Sequence, residues 1–246
     1  MACSSDNMAD KKKQDLSGWK GISYEELLNK LSGRPTEEIR IYTVTTTRFD
    51  KNTNTINHLG SGPNLEGGLA TLCTCKHSMR RNHIAEDWKG KWIVGLTSRA
   101  INKGFASKHY LFYMMRVEQA FESHAALYKH LVEKNPAALR IKNAVKNPLG
   151  DIFKPIVNCS NPLSPRMYEL PHKNHSHGHD VNEGWEDDIS YEISRTERTA
   201  TPLLLGDINN TFVWPNPMIR FTSNRGVGNK KLTLGEDFFS LLETHE

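Results

Sequence analysis

Between residues 73 and 81 the chain reads Cys-Thr-Cys-Lys-His-Ser-Met-Arg-Arg, which sets two thiols, an amine, an imidazole and paired guanidinium groups side by side. Alternation along an extended strand would put Cys73, Cys75 and His77 on one face, opposite Leu72, Thr74 and Lys76. Such a face suits either a soft metal such as zinc or a small buried surface ending in an imidazole. Cys-x-Cys lacks the Cys-x-x-Cys knuckle of structural zinc, and free cysteine is among the most buried residue types, which favours the second. Guanidinium is a rigid fork matched to phosphate or carboxylate, so Lys76, Arg80 and Arg81 form a candidate anion site; the same charges also suit a solvated basic turn.

A second cluster is His172, His175, His177 and His179 with Asp180. Imidazoles at this spacing, with a carboxylate, can chelate a borderline metal, and they equally suit a polar loop. Within the cluster, His179-Asp180 is the pair best suited to general-base work, since a carboxylate beside an imidazole can orient it. Trp88, Trp92, Tyr110, Phe112 and Tyr113 interleave with basic residues, an arrangement that serves base stacking or a strand core. The glycine-rich Gly60-Ser61-Gly62-Pro63-Asn64 and Gly67-Gly68 allow close backbone approach but precede no helix, so they read more simply as a surface loop. The common nucleotide and zinc-protease motifs are absent, and no resident metal or cofactor is expected.

These residues need elements to hold them. Ser23-Tyr24-Glu25-Glu26 is a capping box that opens a helix through Leu27, Leu28 and Leu31. Strand composition follows at Ile39–Thr47, Leu69–Cys75, Trp92–Thr97 and Tyr110–Val117, separated by Gly- and Asn-rich loops instead of crossover helices. Helical periodicity covers Glu118–Asn135 and then Ala137–Lys146. A strand pair is expected at Pro202–Leu205 and Phe212–Trp214, and a closing helix at Gly235–Leu242. The pattern implies an α+β fold with a mixed or antiparallel curled β-sheet, or barrel, and flanking helices.

The chain of 246 residues reads as a polar tail over residues 1–18 followed by a single domain over 19–246. That domain carries an irregular His- and Pro-rich insert at about residues 158–190. No stretch reaches the roughly 18–20 apolar residues of a membrane span. Four cysteines without an export signal imply a reducing, cytoplasmic setting. A net charge of +4 is too small for a protein that coats a duplex, so any nucleic-acid contact must be a local patch.

Several segments together carry a resemblance: Thr71-Leu72-Cys73-Thr74-Cys75-Lys76 with Arg80-Arg81, Gly90-Lys91-Trp92-Ile93-Val94-Gly95 with Ser98, and Leu111-x-Tyr113-x-Met115-Arg116-Val117. Gly150-Asp151-Ile152-Phe153, His179-Asp180, Leu205-x-Asp207, Phe212-Val213-Trp214 and Gly228-Asn229-Lys230 continue the order. From about Tyr42 onward the chain resembles the nucleotide modification associated domain 2 family. It departs from that pattern at His77, where a proline is usual, at Lys91, usually acidic, and at Asn229, usually histidine; no family role is carried to those positions. More distantly, the Gly-x-Trp strand and the strand ending in Arg116-Val117 look like the barrel of PUA-like domains, including the EVE and ASCH groups.

The resemblance implies a PUA-like module that recognises a nucleotide or modified base in association with nucleic-acid modification. Lys76, Arg80, Arg81 and Arg116 would then meet phosphate or base oxygens, and Trp88 or Trp92 would stack. Two other readings stay open. One is an enzyme acting on a nucleotide or base, with Cys75 or Lys76 as nucleophile or acid and His179-Asp180 as base. The other is a protein-interaction module of a defence or phage system, with the histidine-rich loop as its contact surface.

Overall fold

The computed structural model describes residues 12–175, 184–194, 197–223 and 230–244. The chain divides into two compact units, each assembled from separate stretches. The first takes the described residues up to Asp15, then Leu59–Lys89 and Glu118–Leu205; the second takes Leu16–His58, Gly90–Val117 and Gly206 onward. No described helix is long and apolar enough to cross a membrane.

The second unit is organised by a curled mixed sheet. Strand Glu38–Val44 lies parallel to Trp92–Thr97, with Ile39 opposite Trp92 and Val44 opposite Thr97, and antiparallel to Lys230–Thr233. Trp92–Thr97 pairs antiparallel with His109–Phe121, with a register shift after Gly95. Ile219–Phe221 and Leu242–Thr244 continue the order on the far side. Ser23 caps helix Tyr24–Leu31 through the capping box anticipated from sequence. That helix drives Leu27 and Leu31 into a core with Ile39, Ile41, Trp92 and Trp214.

Gly95 is required in this sheet because a Cβ there would lie 2.2 Å from the Tyr113 ring. Tyr113 in turn shares a hydroxyl hydrogen bond of 2.8 Å with Tyr42.

In the first unit, strand Thr71–Leu72 pairs antiparallel with the start of Leu203–Val213, Thr71 facing Leu205. Helices His124–Lys134 and Pro136–Lys142 are capped by Ser123 and Asn135, whose side chains accept from Ala126 and Ala138 N–H. Leu127, Leu131, Ala138 and Leu139 bury against Leu69, Cys73, Phe121, Leu203 and Leu205. A second cluster joins Ala144, Phe153, Tyr168, Trp185 and Ile189.

Several expectations are corrected. The strand expected over Leu69–Cys75 is confined to Thr71–Leu72, because Cys75 and Lys76 turn left-handed and break the alternation. Strand His109–Phe121 runs into the region read as helix, which starts only after the Ser123 cap. The anticipated strand pair is one strand, Leu203–Val213, in which Asp207 accepts from Asn209 N–H and the Asn210 side chain, bonds that resemble a turn from sequence. The closing helix is a single turn, Glu236–Phe239, and the chain then re-enters the sheet.

The start of the chain is docked from Gln14, whose buried side chain donates to Gly60 and Pro63 carbonyls at 2.8 Å each and accepts from Leu65 N–H. Within the Pro-rich insert Tyr168, Trp185 and Ile189 are buried, while Asn158, Asn161 and Leu170 stay exposed.

Candidate functional site

Immediately after Thr71–Leu72 the backbone enters two consecutive left-handed residues, Cys75 at φ 55° and Lys76 at φ 54°. For residues with a Cβ this conformation costs about 1–2 kcal/mol each and is held only where the surroundings impose it. The clamp is visible on both sides. Cys75 N–H donates to Asp188 Oδ1 at 3.2 Å, and Cys75 O accepts from Arg80 Nε at 3.0 Å. A one-turn helix, His77–Arg80, follows at once.

Arg80 is fully buried, and its fork serves main-chain carbonyls: Cys75 through Nε, Cys73 through one terminal nitrogen at 2.9 Å, and Pro202 through the other at 2.8 Å. Burial pulls its pKa below the ordinary arginine value, while the carboxylate of Asp188 acts in the opposite direction. The guanidinium expected to meet a ligand anion is thus the internal brace of the turn. Trp88 is also interior, with its indole N–H donating to Arg80 O at 2.9 Å and its ring edge-on to His83.

Asp188, fully buried, closes the other side. Its Oδ1 lies 2.7 Å from His77 Nε2, and the His77 side chain keeps 23% of its surface exposed. Where Asp188 is ionised it only accepts, so the neutral His77 tautomer that makes this bond carries its proton on Nε2 and its lone pair on Nδ1. Behind Asp188, His124 Nδ1 accepts from Phe153 N–H and its Nε2 donates to Asp188 O at 3.2 Å. Burial pulls His124 down to about 3, keeping this internal imidazole neutral.

Arg81 leaves the brace and lies over Tyr191, its guanidinium carbon 3.6 Å from the ring centroid. Its Nε is buried without a hydrogen-bond partner. Arg81 forms one wall of a cleft of about 560 Å³ with His83, Asp87, Glu122, Thr199 and Pro202. His77 and Arg81 are four residues apart on one helical turn, and Asp188 and Tyr191 are three apart on the facing segment. The two contacts join the His77–Arg81 turn to the segment that carries Asp188 and Tyr191.

Cys75 is half-buried, but crowding of the thiol pushes its pKa up to about 12, with the charge of Asp188 adding to the effect of burial. Its Sγ donates to Gly62 O at 3.4 Å. Cys73 is wholly buried, and burial raises its thiol well above the ordinary value. Both are free thiols.

Elsewhere in the first unit, fully buried Lys142 donates to Asn64 O, Asn64 Oδ1 and Thr71 Oγ1 at 2.7–3.1 Å. Burial pulls it down to about 8 against the opposing charge of Asp151. Asp151 is equally buried, and neither carboxyl oxygen meets hydrogen-bond geometry, so Thr71 and Cys73 act on it by proximity. Burial pushes Asp151 up to about 6, opposed by Lys142.

Trp92 and Arg116 belong to the second unit, where Glu37 holds both. The Trp92 indole N–H donates to Glu37 Oε2 at 2.5 Å, and Arg116 pairs with Oε1 at 2.8 Å. Trp92 is buried and stacked on Phe212. His179 and Asp180 lie outside the described residues. His175 is buried, with Nδ1 3.2 Å from Pro148 O. Among the described residues no group of three or more His, Cys, Asp or Glu is arranged to hold a metal.

The structure therefore brings together Cys75, Lys76, Arg80 and Arg81, and adds His77, Asp188, His124 and Tyr191. Asp188 stands in an acidic run visible in the sequence, where the apolar Ile189 beside it is the one local sign that this part of the run turns inward. Compared with family models, curated proteins and solved structures, the chain matches none.

Proposed function

We propose that the first unit recognises a nucleobase-bearing ligand, a nucleotide or modified base, in the cleft walled by Arg81. The observation that carries this reading is the Arg81 guanidinium, 3.6 Å over the Tyr191 ring, at the wall of a cleft that also offers carboxylates. One guanidinium sharing the cleft with Asp87 and Glu122 is a poor receptor for a polyphosphate, whose charge both carboxylates repel. It suits the edge of a base, where acceptors can face Arg81 and ring or exocyclic N–H groups can face Asp87 or Glu122. Ile84, Ala85 and Pro202 give the cleft apolar surface for a flat ring.

The resemblance to the nucleotide modification associated domain 2 family and the PUA-like barrel it implies belong to the same proposal; the curled mixed sheet of the second unit is compatible with an α+β fold of that kind. Calorimetric titration with free bases, nucleosides and nucleotides tests the reading. Binding is expected to a base or nucleoside, with no gain from added phosphates. Arg81→Ala should weaken it by about 1–3 kcal/mol, the worth of a paired contact to a base edge. No binding across the panel, or equal affinity in Arg81→Ala, refutes it.

A further inference from the structure

We infer that His77 is a general base at the mouth of this turn, taking a proton from an acidic N–H or O–H of the bound ligand, with Asp188 as its positioning residue. Asp188 Oδ1 accepts from His77 Nε2 at 2.7 Å and from Cys75 N–H at 3.2 Å, so the carboxylate grips the imidazole and the strained backbone that carries it. Asp188 is fully buried and His77 partly exposed, which is the polarity of an orienting carboxylate behind a working imidazole. The proton on Nε2 is engaged, leaving Nδ1 as the basic nitrogen, and Nδ1 makes no hydrogen bond among the described residues.

The backbone supports the same reading. Two left-handed non-glycine residues immediately before His77 are braced by Arg80 and Asp188. Strain of this sort persists where a side chain must be held at a set angle. Arg81, the residue that caps this turn, lies over Tyr191 and lines the cleft, four residues after His77 in the chain. In the proton-transfer step the ligand N–H or O–H bond breaks, its electron pair stays on the ligand, and the proton adds to Nδ1. The imidazolium that forms is neutralised by Asp188. No other reactant is needed. Cys75 is not the nucleophile here, because its thiol is engaged with Gly62 O and protonated.

The substrate class rests on the base-binding reading, but the reactivity of His77 does not, and the experiment separates them. The probe is p-nitrophenyl acetate, cleaved by a basic imidazole without any base ligand, with p-nitrophenolate release followed on the full chain. His77→Asn and Asp188→Asn are expected to lose the release, each by about tenfold or more, a modest share of the roughly hundredfold that a positioned base contributes to catalysis. His130→Gln should be unchanged. Since Asp188→Asn touches a buried site, nitrogen-15 NMR of the wild-type ring provides a second measurement, with His77 expected as the Nε2–H tautomer. Equal release by wild type and His77→Asn, or a His77 protonated on Nδ1, overturns the inference. If nucleosides still bind in that case, the base-binding reading stands alone; if cleavage is lost in the variants but no nucleoside binds, only the substrate class fails.

Discussion

Replacing Arg80 by methionine keeps much of the side-chain volume and removes every donor that holds the Cys75–Lys76 turn from inside. Three main-chain carbonyls, those of Cys73, Cys75 and Pro202, lose partners at 2.8–3.0 Å, and a fourth, that of Thr201, loses a longer one at 3.4 Å. A buried acceptor left without a donor costs about 1–3 kcal/mol. Taking the low end for three carbonyls, which keep some freedom to shift, the loss is about 3–5 kcal/mol. Relief from desolvating the guanidinium offsets part of the cost, but Asp188 remains buried with its positive neighbour gone, which adds to it. Against a typical stability of about 5–15 kcal/mol, Arg80→Met should be marginally folded. Arg80→Lys keeps the charge but not the fork, and should fall between the two. Urea unfolding followed by fluorescence and circular dichroism measures the shift in midpoint. An Arg80→Met protein within about 1 kcal/mol of wild type, with an unchanged slope, would refute the assignment of Arg80 as a brace.

Gly62→Ala should destabilise by about 1–3 kcal/mol, because the new Cβ would fall 2.5 Å from Thr74 Oγ1 and 2.7 Å from Cys75 Sγ; an unchanged thermal midpoint argues against that packing. Asp151 has its folded pKa raised to about 6 from 3.8, so its contribution to stability is fully present below about pH 4 and is lost as pH rises through 6. Asp151→Asn should flatten the stability profile in that window, and a profile parallel to wild type contradicts it. Cys75, with its thiol near 12, should resist iodoacetamide at pH 8 in the native protein and react on unfolding. Rapid native alkylation, located by peptide mapping, would restore it as a candidate nucleophile.

What could be read in the sequence was the part encoded locally. The Ser23–Glu26 capping box specifies its helix with neighbours three residues apart, and the apolar run Trp92–Thr97 declares a strand covered on both faces. The chemistry-rich segment was visible by composition, but its conformation was misjudged. Alternation of Cys73, Cys75 and His77 is a sound strand signal. It is overridden by Asp188, 113 residues from Cys75 in the chain, and by an arginine that looked destined for solvent. The pairing of His77 with Asp188 across 111 residues has no local signature. Neither has the inward turn of Arg80, since pattern alone does not say whether a guanidinium will meet a ligand or a row of carbonyls.

The interleaving of the two units bears on how the chain can be made and dissected. Each unit draws on stretches separated by segments of the other, so neither can be released by a single cut or expressed as one uninterrupted fragment. The stretches of the first unit are all synthesised by Leu205, whereas the second is completed only by the stretch from Gly206 onward. During synthesis the paired strands Glu38–Val44 and Trp92–Thr97 therefore emerge long before Lys230–Thr233, the antiparallel partner that covers the free edge of Glu38–Val44. Until then that edge is an open template for pairing with another chain. Slow translation or a lost carboxy-terminal stretch should for this reason appear first as aggregation of the second unit, and deletion mapping from that end would report failed assembly before it reported a lost site.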